Sequence, residues 1–469
     1  MKKLNTKTKL CYALGNLGYG TVSQTITTFI MFFGTSVLGI KGSLVGLCVA
    51  ISTFLDGLSD PIVGYLSDIT YSKFWGKRLG YLFFGTIGIC VFNVLLWCVP
   101  TELGEMGKFF WLLFILNTIE ICNTCFATPY VALGIDIAPG YNEQSSLQGF
   151  KTVFFIIGMI LPSLLMMVFM PSSGGSQNQL NQNGYMYIGY ATSLLSLICG
   201  LVCVFGTYKK AKSMPVYKTR KKEKNAFFKI FYNFFITLKR KNYGAIIISY
   251  SIALIAAAFL TSVGMHLFTY CFHFNSIQIP IVMSVLFIGA IFSQPFWIYL
   301  SKRIDKKPAL KWAYFTILVG IFFTFWVFVF RESVGTNISF YLILPCILLC
   351  GFGTGALYSL PISMFADNVT MDKIATGENN SATYSGYMTF AYNIANSFAL
   401  LVIGVLLDII KFDASSPVQA LKTQNYLGAI VFSGCAISIA VAMLVLNKYS
   451  LKRSDILKQQ LLYKQNKKK

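Results

Sequence analysis

Twelve apolar runs of about 20 residues or more follow one another along the chain, and each is long enough to cross a ~30 Å hydrocarbon core. They lie near residues 10–38, 44–66, 79–100, 109–134, 150–170, 185–207, 244–272, 279–300, 312–330, 338–365, 381–410 and 425–447. In lipid, every backbone N–H and C=O must find a partner inside the spanning structure, which leaves helices or a closed barrel. Runs this long without strict apolar–polar alternation predict helices. Composition agrees: 55% of the residues are hydrophobic and only 12% are charged, against ~25% charged in a typical soluble domain. The expected fold class is an all-α membrane protein with twelve transmembrane helices.

The net charge of +22 raises the alternative of a nucleic-acid binder. Its distribution speaks against that. With the N-terminus placed inside, all but five of the 39 Lys and Arg fall in segments on the cytoplasmic side, the exceptions being Lys41, Lys108, Arg331, Lys411 and Lys422. This asymmetry predicts a multi-pass protein of the plasma (cytoplasmic) membrane with both termini in the cytoplasm. The basic linker and tail then serve as topology signals and contacts to anionic lipid. The expected partners are the bilayer and a small solute, not nucleic acid, and the chain is expected to be a monomer. "MKKLNTKTK" opens a retained helix, because the run behind it is too long for a signal peptide and lacks a small-residue cleavage pattern. Cys122 and Cys125 form a C-x-x-C inside an apolar run and read as core packing. The two histidines, His266 and His273, read as polar wall residues of the seventh span.

The hydrophilic segment 208–243 divides the spans six and six. It carries Phe227, Phe228, Phe231, Phe234, Phe235 and Leu238 at helical spacing, which predicts an amphipathic helix on the membrane surface. Four regions follow: an N-terminal six-helix bundle at 1–207, a cytoplasmic linker at 208–243, a C-terminal bundle at 244–447 and a basic tail at 448–469. The halves echo one another. "DPIVGYLSDITYSKFWGKR" (60–78) resembles "QPFWIYLSKRIDKK" (294–307), and "TPYVALGIDIAPGYNEQSS" (128–146) resembles "LPISMFADNVTMDKIATGENNSA" (360–382). Pro61 and Pro295 are 234 residues apart and Pro129 and Pro361 are 232 apart, nearly one offset. A duplicated six-helix unit with a central linker is the plan of major facilitator transporters, which hold substrate between the halves.

Asp56 and Asp60 are four residues apart and so share a face of the second helix. An ionised acid at such a depth costs at least ~2.5–3.5 kcal/mol on insertion scales, so the pair requires a proton or a cation. Pro61 lacks the N–H that would satisfy the Gly57 carbonyl, which offers a third oxygen. The competing reading is that Asp60 pairs with a loop lysine at the helix end. Asp68 is expected to anchor Lys77 and Arg78 of "WGKR" as a gate. The fourth helix carries Asn117, Glu120, Thr124 and Thr128 on one stripe. Glu120 is either a binding group or a carboxyl kept neutral by hydrogen bonds between helices. The first helix presents Asn16, Gly20, Ser23 and Thr27. The eleventh presents Ser385, Thr389, Asn393 and Asn396, with Tyr384, Tyr387 and Tyr392 nearby. Both stripes also suit interhelical hydrogen bonding. Lys151 either reaches the acids or snorkels to the interface. "GFGTGA" (351–356) lacks the lysine and the setting of a phosphate loop and reads as close helix packing. No catalytic triad, nucleotide loop or metal-ligand cluster stands out, so an enzyme is not expected.

"YALGNLGYG", "DGLSDPIVGYLSD" with "WGKR", and "TPYVALGIDIAPGYNEQSSLQGFK" resemble the glycoside–pentoside–hexuronide:cation symporter family, over nearly the whole chain. The resemblance implies alternating access, with Na⁺, Li⁺ or H⁺ at Asp56 and Asp60 and a sugar beside them. It also implies a basic residue near the site, here Lys151, and an aromatic beside the helix-four proline, here Tyr130. The chain departs from the family pattern where melibiose permease-like members have further acids, at Gly20 and Ala127. It departs too at Val131, in place of a sugar-stacking Trp, and near Tyr392 or Asn393, in place of a Lys.

The sequence therefore points to a secondary active transporter coupling Na⁺ or H⁺ to a small solute, first a sugar or glycoside, with no cofactor beyond that coupling ion. Its expected substrate-binding residues are Asn16, Gly20, Glu120, Thr124, Tyr130, Lys151, Tyr387, Tyr392 and Asn393. The second reading is a carrier of a lysolipid, amphiphile or small peptide, export included. A non-transporting receptor is the third, and the buried acids speak against it.

Overall fold

Apolar stretches with few backbone breakers become helices, and polar caps set several of their ends. A computed structural model of the chain describes residues 4–138, 141–170, 178–213, 226–376, 381–413, 419–455 and 458. The first half comprises α1 (Thr6–Phe32), α2 (Gly42–Ile69), α3 (Leu79–Trp97), α4 (Glu105–Ile137), α5 (Tyr141–Phe169) and α6 (Gln182–Lys212). The short α7 (Ala226–Lys239) follows, and then α8 (Lys241–His266), α9 (Gln278–Ile304), α10 (Lys306–Val329) and the single turn α11 (Arg331–Val334). The chain continues with α12 (Thr336–Leu357), α13 (Leu360–Thr376), α14 (Ser381–Ile409) and α15 (Leu421–Leu446). The Asn5 side chain caps α1 by accepting the Lys7 N–H at 3.2 Å, and Asn181 caps α6 in the same way at 3.0 Å.

Among the described residues, eleven helices are long and apolar enough to cross a membrane. The twelfth is α1. Its 27 residues, roughly 40 Å at helical rise, include buried Asn16, Thr21, Thr25 and Thr28, which lower its apolarity. Most helices overrun the apolar stretches at one or both ends, and the tenth span is broken into α12 and α13 at Tyr358–Ser359. Proline falls inside α2, α4, α5, α9 and α12, where surrounding helices shield the freed carbonyls from lipid.

The helices sort into two halves. In the first, α1 packs on α5 and α6, α3 on α4 and α6, and α2 on α4. In the second, α9 packs on α12, α10 on α12 and α15, and α8 on α14 and α15. Between the halves, α2 lies along α14, α1 against α8, and α5 against α9. Glycines permit a close crossing of α2 and α14: a Cβ on Gly46 would sit 2.8 Å from the Leu400 carbonyl oxygen and 2.9 Å from the Gly404 Cα. Gly351, Gly353 and Gly355, from the phosphate-loop-like stretch, likewise lie against the backbone of Leu286, Ala313 and Ala290. This is helix packing, as expected.

The end of the bundle remote from the N-terminus is closed by contacts between the halves. Five-residue π-helical turns end both α1 (Phe33–Val37) and α8 (Leu267–Cys271), a further mark of the internal repeat. There Thr35 and His266 share a 2.7 Å hydrogen bond, and the Phe32 ring meets those of His266 and Tyr270. His266 is therefore a fully buried interhelical contact.

Candidate functional site

The site starts from the two acids of α2. Asp56 is held from both halves: Oδ1 accepts from Thr124 Oγ1 of α4 at 2.9 Å, and Oδ2 accepts from Asn393 Nδ2 of α14 at 3.1 Å. Asp60, one turn on, accepts from Thr128 Oγ1 at 2.8 Å. Gly57 lets α2 and α14 meet here. A Cβ at that position would lie 3.1 Å from the Asn393 Cβ and 3.4 Å from the Phe390 ring. Glu120 brings a third carboxyl. It accepts from Asn123 Nδ2 at 3.1 Å and stands within electrostatic reach of Asp56 and Asp60. Tyr19 and Tyr392 also stand within electrostatic reach of these acids. Among the described residues, no Lys, Arg or His forms an ion pair with any of the three. Nor do three or more His, Cys, Asp or Glu among them group closely enough to hold a metal.

A second cluster lies where α1, α4 and α5 meet. Tyr12 and Tyr130 stack at 4.3 Å with 9° between their rings, and each hydroxyl donates to the other residue's carbonyl, at 3.0 and 2.8 Å. Lys151 Nζ lies over the Tyr130 ring at 5.5 Å, while Asn16 Nδ2 donates to the Lys151 carbonyl at 3.1 Å. Asn16, Tyr130 and Lys151 thus come together, and among the described residues Lys151 forms no ion pair with the three carboxylates. Gly20 is covered by Phe155, whose ring would be 2.8 Å from an added Cβ, so this position joins α1 to α5. Tyr387 is buried against Phe234 of α7 and Phe390. Leu58 of α2 packs on the same aromatic group.

At the end bearing the basic loops, Arg78 Nε donates to Asp136 Oδ2 at 2.6 Å, and its NH1 reaches Ser67 Oγ at 3.4 Å. The Asp68 side chain, expected to anchor this loop together with Lys77, lies outside the described residues. The other half repeats the arrangement: Lys306 Nζ and Asp367 Oδ2 pair at 2.5 Å. Asp136 and Asp367 were not singled out from sequence. The signal was present, since each echo carries an aspartate six or seven residues after its proline. Tyr19 was also missed, although it lies three residues after Asn16 on one face of α1.

Two pseudo-symmetric six-helix halves, with polar side chains of both meeting inside the bundle, make up the major facilitator fold. The chain belongs to the MFS/sugar transport protein family, whose profile matches residues 11–453. An uncharacterized symporter of Synechocystis is 33% identical over 169 residues, covering 35% of this chain but 31% of that protein's length. An uncharacterized symporter of Bacillus subtilis is 23% identical, covering 96% of this chain and 93% of its own. The sodium-dependent lysophosphatidylcholine symporter 1-A of Danio rerio is 21% identical, covering 96% and 86%. A solved D-xylose–proton symporter superposes with a TM-score of 0.62 at 14% identity, covering 93% and 96%, and shares the fold.

Proposed function

We propose that this chain is a secondary active transporter that couples a cation, Na⁺ or H⁺, to a small polar solute by alternating access. One observation carries the reading. Asp56 is bonded to Thr124 in its own half and to Asn393 in the other, so charge at one carboxylate bears directly on how the halves meet. Asp56, Asp60 and the Gly57 carbonyl, to which Pro61 can give no N–H, supply hard oxygen ligands of the kind that alkali cations and protons prefer. Binding there alters the Asn393 contact and so biases one arrangement of the halves over the other. Arg78–Asp136 and Lys306–Asp367 act as paired gates at the basic end, in the cytoplasm by the distribution of Lys and Arg. The protein works as a monomer in the plasma membrane.

The family description favours a sugar or glycoside as solute. The likeness to a lysophosphatidylcholine symporter supports the second reading, a lysolipid. Proteoliposomes given a Na⁺ or proton gradient, with labelled sugars and labelled lysophosphatidylcholine, test both. Accumulation that collapses with an ionophore supports symport and names the solute. Uptake indifferent to every imposed gradient refutes it.

A further inference from the structure

The site is rich in hydrogen-bond acceptors and poor in positive charge. Three carboxyls, Asp56, Asp60 and Glu120, stand within electrostatic reach of one another, and among the described residues no basic side chain pairs with any of them. Lys151, the basic residue expected to serve them, lies over Tyr130 instead. One coupling cation supplies one positive charge. It leaves the group with a net negative charge in a low-dielectric setting, where an uncompensated charge is costly.

A second observation points to a ligand at Glu120 in particular. Asn123 is only 3% exposed, and its Nδ2 donates to Glu120 Oε2 at 3.1 Å, so its side chain is directed at that carboxylate. Its Oδ1 is buried without a hydrogen-bond partner. The amide cannot turn round to relieve this, because its oxygen would then face the Glu120 carboxylate. Asn117, three residues before Glu120, repeats the pattern: Nδ2 donates to the Leu113 carbonyl at 2.6 Å and Oδ1 is left buried and unpaired. A buried acceptor without a donor costs about 1–3 kcal/mol. A carboxylate flanked by such acceptors matches a ligand that brings both positive charge and several N–H groups. Tyr19 and Tyr392 stand within electrostatic reach of the same acids.

We propose that the transported solute carries a protonated amine, received by Glu120 and the free Asn123 Oδ1, while Asp56 and Asp60 take the coupling cation. This rests on the symport reading and narrows its substrate class. A neutral hydroxyl in the same place would donate a single hydrogen bond and offset none of the charge. A quaternary ammonium would offset as much charge but has no N–H for the orphan oxygens. The loaded carrier therefore holds two positive charges against the acid group.

Thermal unfolding of the purified full chain, with and without Na⁺ and at two pH values, tests this against matched pairs of free and N-acetylated amines. Glucosamine with N-acetylglucosamine, ethanolamine with N-acetylethanolamine, and a dipeptide with its N-acetyl form make a suitable set. The expected result is stabilisation by at least one free amine, with its acetylated partner weaker by about tenfold or more. Glu120→Gln is expected to reduce affinity for that amine about tenfold while the response to Na⁺ or pH persists, which also shows that the variant is folded. Asn123→Ala, which deletes the orphan acceptor, must weaken the same amine and serves where Glu120→Gln does not fold. Equal binding of acetylated partners, no binding by any free amine, or full affinity in a folded Glu120→Gln variant overturns the proposal. The symport reading fails separately, by the absence of any Na⁺ or pH response in the wild type that Asp60→Asn removes.

Discussion

The Asp408 carboxylate caps the first turn of α2 from the other half of the molecule, with Oδ1 accepting the Gly42 N–H at 2.7 Å. Its other oxygen accepts the Ser43 N–H at 3.0 Å. Both N–H groups belong to the set that a helix leaves unsatisfied at its start, and the helix dipole favours an anion there. Gly42 and Gly404 bring the two backbones close enough for the cap to form. This contact joins the two halves at this end.

Asp408→Ala is therefore expected to loosen that closure. Loss of a capping side chain costs about 0.5–2 kcal/mol, typically about 1, and part of this is recovered when water reaches the N–H groups. Every 1.4 kcal/mol is about tenfold in population, so the open form should gain up to roughly tenfold. A cysteine placed at Ser36, which is buried at the same end, reports the change through its rate of alkylation. An unchanged rate would show that the cap does not hold the halves together.

Asp60→Asn is expected to abolish ion-driven accumulation while leaving the protein inserted and folded. The substitution keeps the volume and the bond to Thr128, and it removes the negative charge for which a cation is needed. Solute counterflow without a gradient, measured beside uphill uptake, separates coupling from binding. Uphill uptake at the wild-type level would falsify the assignment of Asp60 to the cation.

Gly57→Val tests the contact between α2 and α14. A Cβ added at Gly57 would lie 3.1 Å from that of Asn393, and two further methyl groups force the helices apart or the side chains off their rotamers, at a cost of about 1–3 kcal/mol. Transport should fall at least fivefold with near-normal membrane yield. Wild-type transport by this variant would mean that the crossing is loose and that Asn393 is free to move away from Asp56.

The segment 208–243 should be cut by trypsin only from the cytoplasmic side. It contains twelve Lys and Arg against one acid, Glu223, and such loops stay inside. Cleavage in intact right-side-out cells, with protection in inside-out vesicles, would invert the topology.

The helical architecture was legible because lipid leaves few alternatives. A run long enough to span the bilayer has to pair its backbone internally, so hydropathy is enough to locate the eleven most apolar spans. The repeat of proline-centred segments gave the two halves, and the spacing of phenylalanines gave α7 (Ala226–Lys239), whose Phe234 is buried and Phe235 exposed. Helix ends were less visible. Residues such as Lys209 to Lys212 extend α6 beyond the apolar stretch as a polar turn, at little cost once they leave the bilayer.

Of the candidate site, sequence determined the pairing of Asp56 with Asp60, because a four-residue interval in a helix leaves no choice of face. It could not decide what each polar side chain meets across helices. Asn16, Tyr130 and Lys151 look equal in kind to Asn393 and Thr124, yet the first three gather where α1, α4 and α5 join, and the last two hold Asp56. Those partnerships depend on the rotation and crossing of helices far apart in the chain. Packing sets them through contacts such as Gly57 on Asn393 and Gly20 under Phe155, and no local pattern records them.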